Sequence, residues 1–196
     1  RRANHHSVGS TGGDFTLSLR RIGILLNPRA GRGLAPDYAK AIAEALRKHG
    51  CEPVLRETEK DAVCLPPDIE RAVVVGGDGT LRRSAASLGE AGIPFLHAPL
   101  GTENLFARML ALPREPDDIA ALAVNGRTRK IDAGRTQYGP FSIMASVGFD
   151  AEVIHDLHAR RNGPIRHASY IGPIVRTTLR RKWPTVSIEV DGQTVV

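Results

Sequence analysis

Three short segments carry residue types that could do chemistry. They are Asn27-Pro28-Arg29-Ala30-Gly31, extended by Arg32-Gly33; Gly76-Gly77-Asp78-Gly79-Thr80; and Pro99-Leu100-Gly101-Thr102-Glu103-Asn104. Gly77 and Gly79 let the backbone take positive φ and let a phosphate reach the amide nitrogens with no Cβ in the way. Thr80 opens a helical pattern whose free N–H groups and dipole favour an anion. A lone carboxylate, Asp78, among such glycines would repel a phosphate unless a divalent cation stood between them. Magnesium, bound directly or through water, is therefore expected beside Asp78. A tight turn accounts for the glycines but not for three glycine-bearing loops converging on one edge.

Other nucleotide and hydrolase signatures are missing. The sequence has no Gly-Lys-Ser/Thr, and Gly31-x-Gly33 meets Pro36 where a dinucleotide fingerprint needs glycine. There is no protein-kinase catalytic loop, His-Glu-x-x-His or Gly-x-Ser-x-Gly. Cys51 and Cys64 lack C-x-x-C spacing and read as core or surface thiols, and His5-His6 reads as solvated linker rather than a metal site.

The elements that must position these loops follow from periodicity. Ile22 to Leu26, Glu52 to Arg56, Ala72 to Val75 and Pro94 to Ala98 read as strands. Helices are expected from Pro36 to Gly50, from about Thr80 to Ala91, after Thr102, and from Pro116 to about Asn125. Strand and helix thus alternate, as in stacked β-α units on a parallel sheet, and all three glycine-bearing segments fall at C-terminal strand ends, where open α/β sheets bind ligands. Beyond Arg127 the pattern changes. Arg129 to Thr136, Phe141 to Ser146 and Thr185 to Val190 read as strands without helices between them, with a turn at Gln137-Tyr138-Gly139-Pro140 and another at Asp191-Gly192. Residues 1–19 read as a tail, 20–126 as an α/β nucleotide-binding domain and 127–196 as the beginning of a β-rich second domain.

The 196 residues are 41% hydrophobic and carry a net charge of +6. The excess is uneven: residues 127–196 hold 11 Lys+Arg against 6 Asp+Glu, a net +5. Such a surface attracts polyanions of several kinds, including nucleic acid, anionic membrane or a phosphorylated ligand. Aromatics make up only 5% of the chain and no nucleic-acid recognition module is legible. No apolar run is long enough for a spanning helix or a secretory signal, so a cytoplasmic location, peripheral at a membrane, is expected.

In order and spacing, Asn27-Pro28-x-Ala30-Gly31, Val75-Gly76-Gly77-Asp78-Gly79-Thr80-Leu81 and Pro99-Leu100-Gly101-Thr102-x-Asn104 resemble the diacylglycerol kinase catalytic domain family, which includes sphingosine, ceramide and bacterial lipid kinases. Ile131-Asp132-x-Gly134 and Ser146-Val147-Gly148-Phe149-Asp150-Ala151 are also similar. NAD kinases and phosphofructokinases share a Gly-Gly-Asp-Gly element, but the Pro-Leu-Gly-Thr-x-Asn segment favours lipid kinases. The resemblance implies an α/β class with a Rossmann-like N-terminal domain of the NAD kinase and diacylglycerol kinase type. It further implies an ATP- and Mg2+-dependent enzyme that phosphorylates a lipid hydroxyl reached at a membrane surface. In it Asn27, Pro28, Arg29, Ala30 and Gly31 wrap the nucleotide phosphates, Gly76, Gly77, Gly79 and Thr80 contact them, and Asp78 serves as catalytic residue near the metal. Thr102, and less distinctively Thr58, meet the nucleotide.

The chain departs from this pattern in three places. Arg82-Arg83 replaces the usual Asn-Glu, Leu105 replaces an aspartate, and the chain ends at Val196, before the segment that brings a proposed general base and further metal-linked residues in the family. An incomplete second domain is therefore expected. A non-catalytic nucleotide-binding or membrane-associated piece of such a kinase and, more distantly, a NAD kinase-like enzyme are the alternatives. The basic residues around His155, His158 and His167, and Arg176, Arg180, Arg181 and Lys182 beside Trp183, could meet lipid headgroups. No specific nucleic acid is expected, and a homodimer is compatible with the sequence.

Overall fold

A computed structural model describes residues 19–58, 65–137, 139–160, 167–180 and 187–195. All of the expected tail except Leu19 lies outside the described residues, as does Cys64. Strands β1 (Arg20–Leu26), β2 (Cys51–Glu57), β3 (Arg71–Gly76) and β4 (Phe95–Pro99) form one parallel sheet in the order β2-β1-β3-β4. Helices α1 (Ala35–Lys48), α2 (Asp78–Glu90), α3 (Leu105–Met109) and α4 (Pro116–Asn125) cover it.

The alternation of side chains along a strand decides which helix packs where. Ile22, Ile24, Val73 and Val75 bury one face against Ile42 and Leu46 of α1 and Ile119 of α4. Leu25 and Val74 point the other way, against Leu81 and Leu88 of α2 and Phe106 of α3. A sheet covered on both faces requires near-continuous apolar strands, and β1 and β3 are of this kind. Helix α1 carries Pro36 in its first turn, Asp37 beside it and Arg47-Lys48 in its last turn, each matched to the helix dipole. Gly50, at φ 69, then supplies the left-handed residue that reverses the chain into β2.

Residues 127–195 differ from the strand pattern expected of them. The first hairpin is short: β5 (Gly134–Thr136) pairs antiparallel with β6 (Gly139–Phe141), and Thr136 faces Gly139. Gly139 and Pro140, expected in the turn, belong to the strand. The expected strands over 129–136 and 141–146 shrink to these three-residue pieces. Two helices, α5 (Phe149–Ala159) and α6 (Ile171–Arg180), stand where none was expected. Gly148, at φ 83, turns the chain into α5, Asp150 and Glu152 favour its first turn, and Val153 and Leu157 are buried one turn apart. A 3-10 turn at His167–Tyr170 leads into α6. The last hairpin, β7 (Ile188–Val190) with β8 (Gln193–Val195), turns at Asp191 (φ 51) and Gly192 (φ 78), the two positive φ values of a type I′ turn.

Candidate functional site

In the order β2-β1-β3-β4 the chain crosses from one side of β1 to the other between β2 and β3, which opens a crevice beyond the C-terminal ends of β1 and β3. Asn27 follows β1 and spans that crevice. Its backbone amide donates to the Val75 carbonyl at 3.3 Å, and its Nδ2 donates to Thr80 Oγ1 at 3.4 Å. Its Oδ1 accepts from the Arg29 amide at 3.1 Å and its carbonyl from the Ala30 amide at 2.9 Å, so Asn27 also folds the loop that follows. In that loop Gly31 and Arg32 are left-handed, and a Cβ on Gly31 would lie 2.5 Å from Leu100 Cγ. The loop after β1 is therefore seated on the loop after β4.

The second and third loops touch backbone to backbone. A Cβ on Gly101 would lie 2.7 Å from the Gly77 Cα, and one on Gly77 3.1 Å from the Gly101 Cα. These two glycines are needed for the close approach of the loops. Gly79 meets nothing within 4 Å and is exposed, so there the glycine leaves open space. No side chain caps α2, and the Thr80 and Leu81 amides both turn back to the Gly77 carbonyl, at 2.9 and 3.0 Å. The amides of Asp78 and Gly79 lie in the first turn of α2, just past the C-terminal end of β3, and the residue before them, Gly77, has no side chain to cap them.

Asp78 is tied to α3. Its Oδ2 accepts from the Leu105 amide at 3.0 Å and its Oδ1 from the Phe106 amide at 3.3 Å. Each oxygen keeps a lone pair. Among the described residues no group of three or more His, Cys, Asp or Glu side chains could hold a metal. Asp78 thus suits an ion that takes one protein carboxylate and fills its remaining positions with water and phosphate oxygens, as magnesium commonly does.

The other expected site residues divide between scaffold and rim. Thr80 is buried, at 4% exposure, and its hydroxyl serves the bond to Asn27. Gly76 leaves room for Thr80, whose Oγ1 lies 2.7 Å from where a Cβ would stand. Pro28 is half-buried, while Arg29 and Thr102 are exposed on the loops. Thr58 follows β2 directly and donates its amide to the Leu26 carbonyl at 2.8 Å, which puts it on the same sheet edge as Asn27. Arg82 and Arg83 are exposed on α2.

Two residues outside the expected set shape the site. Asn104 is buried and left-handed (φ 49), and its side chain closes a ring on Gly101, donating to the carbonyl and accepting from the amide, both at 2.8 Å. Its place in the third motif was the available signal. His97 is fully buried in β4, with Nε2 2.9 Å from the Gly76 carbonyl. That carbonyl can only accept, so the proton sits on Nε2, and Nδ1 has no partner among the described residues. The Gly76 carbonyl also takes the Leu100 amide at 2.8 Å. Burial pushes the His97 imidazole below its ordinary value, against the opposing pull of its bond to Gly76. A histidine inside the apolar run Phe95-Leu96-His97-Ala98 was the signal for it.

The basic residues of α5 and α6 do not all face solvent. Asp156, buried on α5, accepts from Arg176 Nε at 3.0 Å and Nη2 at 2.6 Å and from Arg160 Nε at 3.2 Å, with Arg180 at 4.0 Å. The Arg176 guanidinium holds this carboxyl below the usual carboxylate range. Arg176, expected in a surface patch, is thus turned toward Asp156, Arg180 stays exposed, and Arg181, Lys182 and Trp183 lie outside the described residues.

A sequence model for the diacylglycerol kinase catalytic domain matches residues 21–136, which holds all three loops and the sheet that positions them. The chain belongs to that family. It is 31% identical over 155 residues to the "Probable lipid kinase YegS-like" of Pectobacterium atrosepticum, covering 72% of this chain and 51% of that one. It is 31% identical over 195 residues to the "Diacylglycerol kinase" of Bacillus subtilis, covering 89% and 61%. The chain thus spans about half to three-fifths of these two curated relatives. A crystal structure from Bacillus anthracis str. Sterne that carries a diacylglycerol kinase designation superposes with a TM-score of 0.50 at 22% identity, over 63% of this chain and 48% of that one. This last likeness concerns the fold alone.

Proposed function

We propose that this chain supplies the nucleotide-binding part of an ATP-dependent lipid kinase that phosphorylates the hydroxyl of a diacylglycerol-like or sphingoid lipid. The observation that carries the reading is the junction of the three loops over the β1/β3 crevice, with the uncapped start of α2 opening into it. Asn27 to Gly31 form one wall and Gly77 to Thr80 the other. The amides of Asp78 and Gly79 donate to phosphate oxygens, and the α2 dipole favours the phosphate charge. When bound, ATP with magnesium supplies the transferable phosphoryl group and neutralises its charge. Asp78 orients toward that ion while its bonds to Leu105 and Phe106 hold the third loop in place. The protein's contribution is then positioning and charge stabilisation, as phosphoryl transfer requires. No helix among the described residues is long and apolar enough to cross a membrane; in this reading the acceptor lipid is met at a membrane surface.

Thermal unfolding with and without ATP and magnesium tests this. Ligand at about 100 times its dissociation constant is expected to stabilise the chain by roughly 2.7 kcal/mol. Asp78→Asn should lose that shift. Gly79→Asp is the cleaner variant: its side chain enters open space, and an acid suits the first turn of a helix, yet it repels phosphate. A full ATP-dependent shift in Gly79→Asp would put the nucleotide elsewhere.

A further inference from the structure

A second concavity, of about 650 Å³, runs along the outer edge of β4, which among the described residues pairs with β3 alone. Its size is that of sites enclosing a small organic ligand. None of the three glycine-bearing loops lines it. Its floor is the outer side of α2, where Ala85, Ala86 and Gly89 leave room, and its walls include Phe95, Leu96, Leu110 and Phe141. Around it stand Arg82, Arg127, Arg129 and Lys130, all exposed and without an ion-pair partner among the described residues. Arg71 is a fifth base, its guanidinium spent on the Ala123 and Gly126 carbonyls at 3.0 and 2.9 Å. Asp132 is the one acid among the lining residues. An apolar trough under a rim of unpaired cations complements a molecule with a hydrocarbon body and an anionic end. A methylene chain asks for no directional polar partner, and the apolar walls offer few.

We infer that this cleft binds one acidic lipid molecule, with its chain against Phe95, Leu96 and Leu110 and its head group at Arg129 and Lys130, apart from the phosphate crevice. The lipid held here does not react, because β4 and α3 separate it from the glycine-bearing loops. It packs on Phe106, whose amide holds Asp78, so occupancy stiffens the helix that fixes that carboxylate.

Calorimetric titration of the chain with dioctanoyl phosphatidic acid, kept below its micelle-forming concentration, tests the inference. Saturable binding of one lipid per chain is expected. Arg129→Glu with Lys130→Glu should weaken it at least tenfold, and Ala86→Trp, which fills the trough from α2, should abolish it. Dioctanoyl phosphatidylcholine and inorganic phosphate should each bind at least tenfold more weakly. The inference is overturned by no saturable binding, by equal binding of phosphatidylcholine or of phosphate, by an unchanged double variant, or by competitive displacement with ATP. If Ala86→Trp fails to fold by circular dichroism, the exposed double variant decides alone. ATP-dependent stabilisation is read separately, so the nucleotide site and the lipid cleft can fail independently.

Discussion

Asp78 is a scaffold residue as well as a candidate metal partner, and the two roles leave different traces. Asparagine there keeps one acceptor but turns an NH2 toward a backbone donor, so Asp78→Asn should cost about 1–3 kcal/mol of stability even without ligand. Gly101 is more sharply constrained. Gly101→Ala presses a methyl into the Gly77 backbone, and a loss of about 1–3 kcal/mol in urea unfolding is expected, together with the ATP-dependent shift. His97 gives a pH signature. Because burial holds its imidazole below the ordinary value, the folded chain resists a proton that the unfolded chain takes up below about pH 6.5. Stability should therefore fall as pH drops from 7.5 to 5.5, and His97→Leu should show a shallower fall in urea titrations at those pH values. The motifs made the site residues legible one by one. They did not reveal that Gly77 and Gly101 are paired by sterics, since the contact joins residues 24 positions apart and appears only once β3 and β4 lie side by side.

At the scale of elements, the α/β portion was legible because burial and period agree there. A strand covered on both faces must be an unbroken apolar run, and α1 carries its apolar residues on a single stripe between Pro36 and Gly50. Helices α5 and α6 were not legible. Their sequences mix β-branched and basic residues, and what joins them is a contact between distant positions: the Asp156 carboxylate gripped by Arg160 from its own helix and by Arg176 from the next. An acid among so many nearby bases and histidines reads as incidental in sequence, yet it organises the pair. Asp156→Asn should loosen α6 from α5, seen as faster hydrogen exchange of α6 amides with little change in those of β1 and β3. Since Arg176 holds this carboxyl below its unfolded value, the same loosening should appear in the unmodified chain only as pH falls below about 3.9, the ordinary aspartate value, toward the lower folded one.

Across the whole molecule, charge and chemistry are segregated. The sheet and its loops are nearly neutral, whereas residues 127–196 carry the net +5. Composition could announce that asymmetry but not its address, because part of the positive charge is answered by Asp156 and part rims the β4 cleft. The contact between Gly77 and Gly101 bears on time as well as shape. With Leu100 under Gly31 and Asp78 pinned to α3, the three loops are already joined before any ligand arrives, and the ordering entropy of assembling them has been spent during folding. An arriving nucleotide has no loop left to recruit, so rapid mixing should show one concentration-dependent association phase with no slow step after it. Gly101→Ala, which forces the loops apart, should bring that slow step in.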